Sequence, residues 1–139
     1  MELVRNASSF PFDRVADGSV VTIGAFDGLH LGHRALLDTA IDAASSLDVP
    51  VVVMSFEPTP KEYFSTGTPP ARLMRFREKF EALAESDIDV CFCPRFNQAM
   101  RDISASTFIR QLLIHTFNTK TLVIGDDFCF ARNREGNAN

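Results

Sequence analysis

A short apolar run that leads through a glycine-rich turn into an amphipathic segment constrains this chain more than any other feature. The run is Val20–Ile23, the turn is the segment Gly24–His33 with sequence GAFDGLHLGH, and the amphipathic pattern continues from Arg34 to Leu47. This order predicts a strand, a turn and a helix. Because a helix N-terminus offers unpaired N–H groups and the positive end of a dipole, the turn is a suitable seat for a phosphate group.

The rest of the chain repeats this alternation of strands and helices. Periodicity and turn residues predict helix Leu31–Leu47, strand Val51–Phe56, a proline-rich loop Glu57–Ala71, helix Arg72–Glu85, strand Ile88–Cys93, a helix capped by Ser104, and strand Thr121–Ile124. Such alternation indicates an α/β domain with a parallel sheet flanked by helices. Ligands of such sheets bind beyond the carboxyl ends of the strands, where the glycine-rich turn should lie.

Each predicted helix has an apolar face that should pack on the sheet. In chain order these faces comprise Leu37, Ala40, Ile41, Ala44 and Leu47; Leu73, Phe76, Phe80 and Leu83; and Phe108, Ile109, Leu112, Leu113 and Phe117. Cys91 and Cys93 should point to one face of their strand and pack as small apolar groups. The polar segment Ala131–Asn139 has no apolar periodicity and predicts neither a helix nor a strand.

Composition and charge exclude several classes of function. The 139 residues are 45% hydrophobic and 23% charged with a net charge of −4, which suits one globular domain and gives no basic footprint for nucleic acid. Three cysteines are an odd number, which argues against a disulfide framework, and no apolar run has membrane-spanning length. We therefore expect one domain over residues 1–139, located in the cytoplasm, with no nucleic-acid or membrane partner.

Two of the three histidines, His30 and His33, stand where the first helix should begin. An imidazole N–H at that place can stabilise charge that develops on phosphate oxygens, and Gly32 lets a phosphate approach the backbone. In the alternative interpretation one ring packs and the other is solvated. His115 lies within an apolar helix and is expected to be structural or on the surface.

Acidic residues follow two of the predicted strands. Asp27 can contact a nucleotide, or magnesium through water, but Asp27 and Gly28 equally suit a tight turn. Asp126 and Asp127 can bind magnesium, or they can only cap and solubilise their turn. Both interpretations stay open for each pair.

The proline-rich loop is a further candidate for ligand contact. Pro58 and Pro60 stiffen it, and an aromatic residue such as Phe64 can stack on a planar ring system. Taken by themselves, these residues favour a packed crossover rather than a binding loop.

Four motifs in a fixed order resemble a known family. They are GxFDGxHxGH from Gly24, FEPxP from Phe56, GxDFxF from Gly125 and RxGN from Arg134. Together they resemble the N-terminal adenylyltransferase module of bacterial bifunctional riboflavin kinase/FMN adenylyltransferases, in the nucleotidylyltransferase superfamily. The resemblance implies a Rossmann-like nucleotidylyltransferase fold, incomplete at its C-terminus here, and a reaction of FMN and ATP, with Mg²⁺, that yields FAD and pyrophosphate.

The same resemblance implies roles for individual residues. The ATP site would be lined by Gly24, Phe26, Asp27, His30, Gly32 and His33, with His30 and His33 acting on the phosphates as catalytic groups. The flavin site would comprise Pro58, Pro60 and Phe64 beside the ring system, with Asp127 and Phe128 at the flavin or phosphate end. No residue is assigned to a metal.

Departures from the family pattern limit what the isolated chain should do. The family usually has Arg where Cys129 stands and Gly where Ala131 stands, and its later Ile-Ser-Ser-Thr-x-x-Arg motif has no counterpart in the 139 residues. The riboflavin kinase domain of the parent protein is also absent from them. We therefore expect the isolated chain to be weakly active or inactive, although the parent protein is an enzyme.

Other functions compete with this one. Another nucleotidylyltransferase would act on phosphopantetheine, a nicotinamide mononucleotide or glycerol phosphate, and the FEPxP and GxDFxF motifs argue against it. A non-catalytic nucleotide- or flavin-binding module would bind ligands without turnover, even in the full-length protein. A purely structural α/β domain fits least well, because it leaves the clustered histidines and glycines unexplained.

Overall fold

A five-stranded parallel sheet forms the centre of the domain. The computed structural model describes residues 1–24, 31–55, 76–94 and 102–124, together with residues 129–130 and 136–137. The strands are β1 (Glu2–Val4), β2 (Ser19–Ile23), β3 (Val51–Met54), β4 (Val90–Phe92) and β5 (Thr119–Val123). All their pairings are parallel. Strands β2, β3 and β4 are buried along their whole length, as expected for parallel strands covered on both faces.

The strand order places a topological switch next to β2. The order is β1-β4-β3-β2-β5, so the chain moves outward from β2 through β3 to β4 and then returns to the other side of β2. The direction of winding therefore reverses between β2 and β5. In open α/β sheets, the crevice beyond the carboxyl ends of strands at such a point is the usual ligand site.

Two helices cover one face of the sheet. They are α1 (Leu31–Leu47) and α2 (Phe76–Ala84). The apolar cluster on this face contains Val20, Leu37, Ala40, Ala44, Val51, Val53, Leu83, Ile88, Cys91 and Cys93. Cys91 and Cys93 thus lie on the same face and are both buried, which confirms the prediction that they pack as small apolar groups.

The opposite face is covered by α3 and by the turns that precede β2. Helix α3 opens with one α-helical turn, Ala105–Thr107, and continues as a π-helix, Phe108–Thr116. The cluster beneath it contains Val4, Phe10, Val15, Val21, Ile23, Val52, Met54, Val90, Phe92, Phe108, Leu112, Leu113 and Phe117. Neighbouring strand residues such as Val20 and Val21 belong to opposite clusters because side chains alternate along a strand.

The structure confirms the type and order of the predicted elements that it describes. Helix α1 begins and ends at the predicted residues. Ser104 caps α3 as predicted, because its Oγ accepts a hydrogen bond of 3.2 Å from the N–H of Thr107. The strand predicted over Val51–Phe56 ends at Met54, and the helix predicted over Arg72–Glu85 is described from Phe76 to Ala84.

Two predicted core residues are wrong. Leu47 is 50% exposed, because it is the last residue of α1 and the chain turns away at Asp48 in the left-handed region (φ 56°). Ile109 is 42% exposed. A π-helix pairs residues five apart and has a wider turn than an α-helix, so the stripe through Phe108, Leu113 and Phe117 leaves Ile109 at its margin.

The hydrophobic pattern does not predict the short strands at the two ends of the sequence. Strand β1 pairs with β4 and forms one edge of the sheet. Two further strands, β6 (Cys129–Phe130) and β7 (Gly136–Asn137), pair antiparallel, so the expectation of no strand in this polar segment is wrong. Each of these strands has only two or three residues, too few to show a period.

Within the described ranges, no helix has the length and apolar character that crossing a bilayer requires.

Candidate active site

The glycine-rich turn starts at the carboxyl end of β2, as the sequence predicts, and the strand order places that end beside the topological switch. Gly24 continues the ladder beyond β2 by donating its N–H to the carbonyl oxygen of Met54 over 3.1 Å. Helix α1 then begins at Leu31, so the turn joins the carboxyl end of β2 to the N-terminus of a 17-residue helix. That N-terminus carries no acidic residue in its first turn, so its unpaired N–H groups and positive dipole end remain suited to an anion.

Small residues form the last row of the sheet at this edge. Ser55 N donates to the carbonyl oxygen of Phe92 (3.0 Å), and Cys93 N donates to that of Val4 (2.8 Å), so the ladder extends one residue beyond β3 and β4. The register pairs Ile23 with Met54 and Met54 with Phe92, which brings Gly24, Ser55 and Cys93 side by side. Within this row Ser55 and Cys93 are fully buried, and Gly24 is partly exposed.

Three candidate segments leave the sheet at this same edge. The turn after β2, the proline-rich loop after β3 and the acidic segment after β5 follow Gly24, Ser55 and Ile124, respectively. Because parallel strands present all their carboxyl ends at one edge, their starting points come together as predicted. Segments that are far apart in sequence therefore leave the sheet at the same edge.

The predicted site residues differ in how far the structure describes them. Gly24 lies at the edge of the sheet, while Gly32 and His33 lie in the first turn of α1, where the backbone is described. The other predicted residues lie outside the described ranges: Phe26, Asp27, His30, Pro58, Pro60, Phe64, Asp127 and Phe128. His115 is exposed near the end of α3, which confirms its expected place on the surface.

Sequence reasoning missed one polar residue next to this site. Thr22 is the penultimate residue of β2 and is 0% exposed, and its Oγ1 has no hydrogen-bond partner among the described residues. Buried hydroxyl groups usually have a partner, because an unsatisfied one loses its bonds to water without replacement. The only signal in the sequence is a hydroxyl within a valine-rich strand.

Comparison with known proteins gives the family. A sequence profile described as FAD synthetase matches residues 13–139, nearly the whole chain. The chain belongs to the FAD synthetase family. This result agrees with the resemblance drawn from the four motifs.

Similar members of the FAD synthetase family are named for two activities. The chain is 45% identical over 139 residues to the bifunctional riboflavin kinase/FMN adenylyltransferase of Escherichia coli K12, covering 98% of this chain and 43% of that protein. It is 40% identical over 137 residues to the protein of the same name from Haemophilus influenzae, covering 99% and 44%. The chain thus spans less than half the length of these relatives.

A solved structure shares the fold of this FAD synthetase family chain. The crystal structure of a protein named as a macrolide-efflux protein from Streptococcus pneumoniae superposes with a TM-score of 0.82 at 25% sequence identity, covering 96% of this chain and 43% of that one. The likeness supports the Rossmann-like α/β architecture. Macrolide efflux is said of the Streptococcus protein alone, and only the fold carries over to this chain.

Proposed function

We propose that this chain performs FMN adenylyltransferase chemistry as part of a longer enzyme: transfer of AMP from ATP to FMN, giving FAD and pyrophosphate. The observation that carries the proposal is the turn from Gly24 to the start of α1, placed at the topological switch in a member of the FAD synthetase family. The names of the relatives further suggest a riboflavin kinase domain elsewhere in the complete protein.

The proposed reaction is an in-line displacement at phosphorus. A phosphate oxygen of FMN attacks the α-phosphorus of ATP and forms a new P–O bond. The bond from the α-phosphorus to the oxygen that bridges it to the β-phosphorus breaks, and that oxygen leaves with pyrophosphate. No covalent enzyme intermediate forms, so the protein contributes mainly by positioning the substrates and stabilising charge.

We assign phosphate binding and charge stabilisation to different residues of the site. The N-terminus of α1 and the backbone near Gly32 would hold the triphosphate, because a helix N-terminus offers unpaired N–H groups and a glycine places no side chain in front of them. Gly24, whose own N–H is bonded to Met54, would let the anion approach the end of β2. We assign His30 and His33 to the phosphate oxygens, where an imidazole N–H stabilises charge that grows in the transition state.

The remaining site residues are assigned to the two ends of the substrates. Phe26 and Asp27 would contact the ATP. Pro58, Pro60 and Phe64 would border the isoalloxazine ring, with Asp127 and Phe128 at the flavin or phosphate end.

Magnesium enters the proposal as an ion carried by ATP. No group of three His, Cys, Asp or Glu residues in the described part of the chain could hold a metal. Mg²⁺ retains several waters and often binds through substrate phosphates with one or two carboxylates, so a dedicated protein cage is not required. We place the reaction in the cytoplasm, since buried reduced thiols such as Cys91 and Cys93 suit a reducing compartment.

The deciding experiment measures, by chromatography, how fast FAD forms from FMN, ATP and Mg²⁺. It compares the complete gene product that contains this sequence, its His33→Ala variant and its His115→Ala variant. We expect His33→Ala to lower kcat by at least about a hundredfold, the effect of removing a charge-stabilising donor. His115→Ala is the matched control and should keep full activity, because it removes an exposed histidine from α3.

Other results would favour the competing functions. Pyrophosphate release with phosphopantetheine, nicotinamide mononucleotide or glycerol phosphate, but not with FMN, would indicate another nucleotidylyltransferase. Binding of FMN or ATP without turnover by the complete gene product would indicate a binding module. The isolated 139-residue chain should make FAD slowly or not at all, and production at the rate of the complete gene product would contradict that expectation.

A further inference from the structure

A cavity of about 520 Å³ lies at the amino edge of the sheet, opposite the edge that carries the candidate active site. We call it the amino-edge cavity. Its volume is within the range of small-molecule binding sites. Helix α1 connects the two edges, and its 17 residues separate its two ends by about 25 Å. The amino-edge cavity is therefore distinct from the proposed phosphate site, and no step of the proposed reaction uses it.

Aliphatic side chains form the floor of the amino-edge cavity. They come from the last two turns of α1, from the entry and first residue of β3, and from the entry to β4: Ile41, Ala44, Val49, Val51 and Ile88. All five belong to the apolar cluster beneath α1 and α2 or pack against it. This floor suits a hydrocarbon chain, which gains free energy by leaving water.

Two aspartates line the same cavity, and they differ in what they contact. Asp89 Oδ2 accepts a hydrogen bond from the N–H of Val51 (2.8 Å), and its Oδ1 lies 3.5 Å from Nη2 of Arg14. Arg14 also contacts Oε1 of Glu2 at 3.4 Å. Asp87 is exposed and makes no hydrogen bond or ion pair with the described residues. Asp87 therefore leaves at the rim a negative charge that no side chain in the described part of the chain neutralises.

Two helix C-termini add to the negative potential around the amino-edge cavity. Helix α1 ends at Leu47 and α2 at Ala84, both at the amino edge, because each helix runs opposite to the strand that follows it. Neither helix has a basic residue in its last turn, and the described residues that line the cavity include no lysine or arginine. Since a helix C-terminus carries about half a negative elementary charge, both ends favour a cation at this place.

We propose that the amino-edge cavity binds small aliphatic amines, with the alkyl chain on the apolar floor and the ammonium group at the rim beside Asp87. An ammonium group donates three hydrogen bonds, and the Asp87 carboxylate and the hydroxyl oxygens of Ser45 and Ser86 are acceptors among the lining residues. A ligand carboxylate would meet charge of its own sign. A purely apolar ligand would leave Asp87 and both helix ends without a counter-charge.

The test titrates the complete gene product with butyl-, pentyl- and hexylammonium, and with hexanol and hexanoate as uncharged and negatively charged counterparts. Backbone amide chemical shifts report binding without any substrate. We expect saturable shifts at Ser86, Asp87 and Ile88, with Gly24 at the opposite edge unchanged. Each added methylene should lower Kd about two- to fourfold, because more apolar surface leaves water. Hexylammonium should bind about tenfold more tightly than hexanol, and hexanoate more weakly than either.

Variants of the complete gene product test the rim and the cavity separately. Asp87→Asn removes the unmatched charge and should raise Kd for hexylammonium about threefold while leaving hexanol unchanged. Asp38→Asn is the matched control, because it removes an exposed carboxylate of α1 that does not line the cavity, and it should change neither value. Ser45→Phe places a ring at the rim and should abolish binding of all the probes. Since Ser45 is exposed on α1, this variant should unfold at the wild-type temperature.

Three results would each overturn the proposal. They are the absence of saturable shifts at the cavity amides, hexanoate binding as tight as that of hexylammonium, and wild-type binding of hexylammonium by Ser45→Phe. These measurements need neither FMN nor ATP, so their outcome is independent of the proposed function. A gene product that binds hexylammonium as expected but makes no FAD would retain the amine site and lose the proposed reaction.

Discussion

Asn118 connects the end of α3 to the turns that precede β2. It adopts a left-handed conformation (φ 49°), and its side-chain amide donates to the carbonyl oxygens of Val15 (2.7 Å) and Ala16 (3.3 Å). Asparagine tolerates this conformation better than most residues, and its amide can satisfy carbonyls that lie outside the strand ladders. One side chain therefore serves both the turn and a contact between segments about a hundred residues apart.

Replacements of Asn118 should separate these two contributions. Asn118→Gly keeps the left-handed conformation and loses only the amide, so we expect a loss of about 1 kcal/mol in the free energy of unfolding. Asn118→Ala adds the strain of a left-handed residue and should cost about 2 kcal/mol. Urea unfolding measures both changes.

Asp48 provides the control for this pair. It is also left-handed (φ 56°) but exposed, so Asp48→Gly should leave stability unchanged or raise it slightly. If Asn118→Gly is as stable as the wild type, the two amide hydrogen bonds contribute nothing measurable, and the conformation alone accounts for asparagine at this position.

At the scale of elements, a helix or strand can be predicted from the sequence when its hydrophobic repeat matches the period of an ideal helix or strand. Helix α1 has 17 residues of regular periodicity and was predicted to its terminal residues. Helix α3 was placed correctly, but its π-turns change which residues share a face, and that change is absent from the hydrophobic pattern. Strand β1 has three residues and forms by pairing with the edge of β4. This pairing is a tertiary contact, which the local sequence pattern does not show.

Sequence reasoning was similarly uneven for the site. The glycines and histidines of the glycine-rich turn are evident in the sequence. Parallel topology predicts that this turn lies at the carboxyl edge of the sheet. Thr22 could not be found this way, because a buried threonine in a strand is ordinary until its missing hydrogen-bond partner is known. Burial and unmet hydrogen bonds are properties of the folded chain.

The two leucines at opposite ends of the apolar face of α1 give a direct test of that helix. Leu37 is buried in the apolar cluster that also contains Val20 and Val53, whereas Leu47 is half exposed at the last residue of the helix. Leu37→Ala should lower the free energy of unfolding by about 2–5 kcal/mol, because it removes a buried side chain and leaves a cavity. Leu47→Ala should change it by less than about 0.5 kcal/mol.

Equal costs at the two positions would contradict this packing of α1. A large loss for Leu47→Ala in particular would mean that the end of the helix is covered in solution. Chemical denaturation followed by circular dichroism gives both values under the same conditions.

At the scale of the whole molecule, both apolar clusters share one sheet, so the faces should unfold together. Val20 and Val21, like Val52 and Val53, are adjacent in the chain but belong to different clusters. Loss of either layer removes support from the same strands. A domain of this size and connectivity is expected to unfold in one cooperative transition.

The thiols of β4 and its extension can test this cooperativity. Cys91 and Cys93 are 2% and 0% exposed, one strand from the β1 edge. With Cys129→Ser as background, we expect a thiol reagent to label them only through global unfolding. The labelling rate should then depend on urea with the slope of the global transition.

Leu37→Ala should speed labelling by the factor that corresponds to its loss of stability, because 1.4 kcal/mol is about tenfold in the population of the open state. Labelling that is fast in the wild type and indifferent to Leu37→Ala would show that the β1–β4 edge opens by itself. The sheet would then be two cooperative units, with the β2–α1 site in the more stable one.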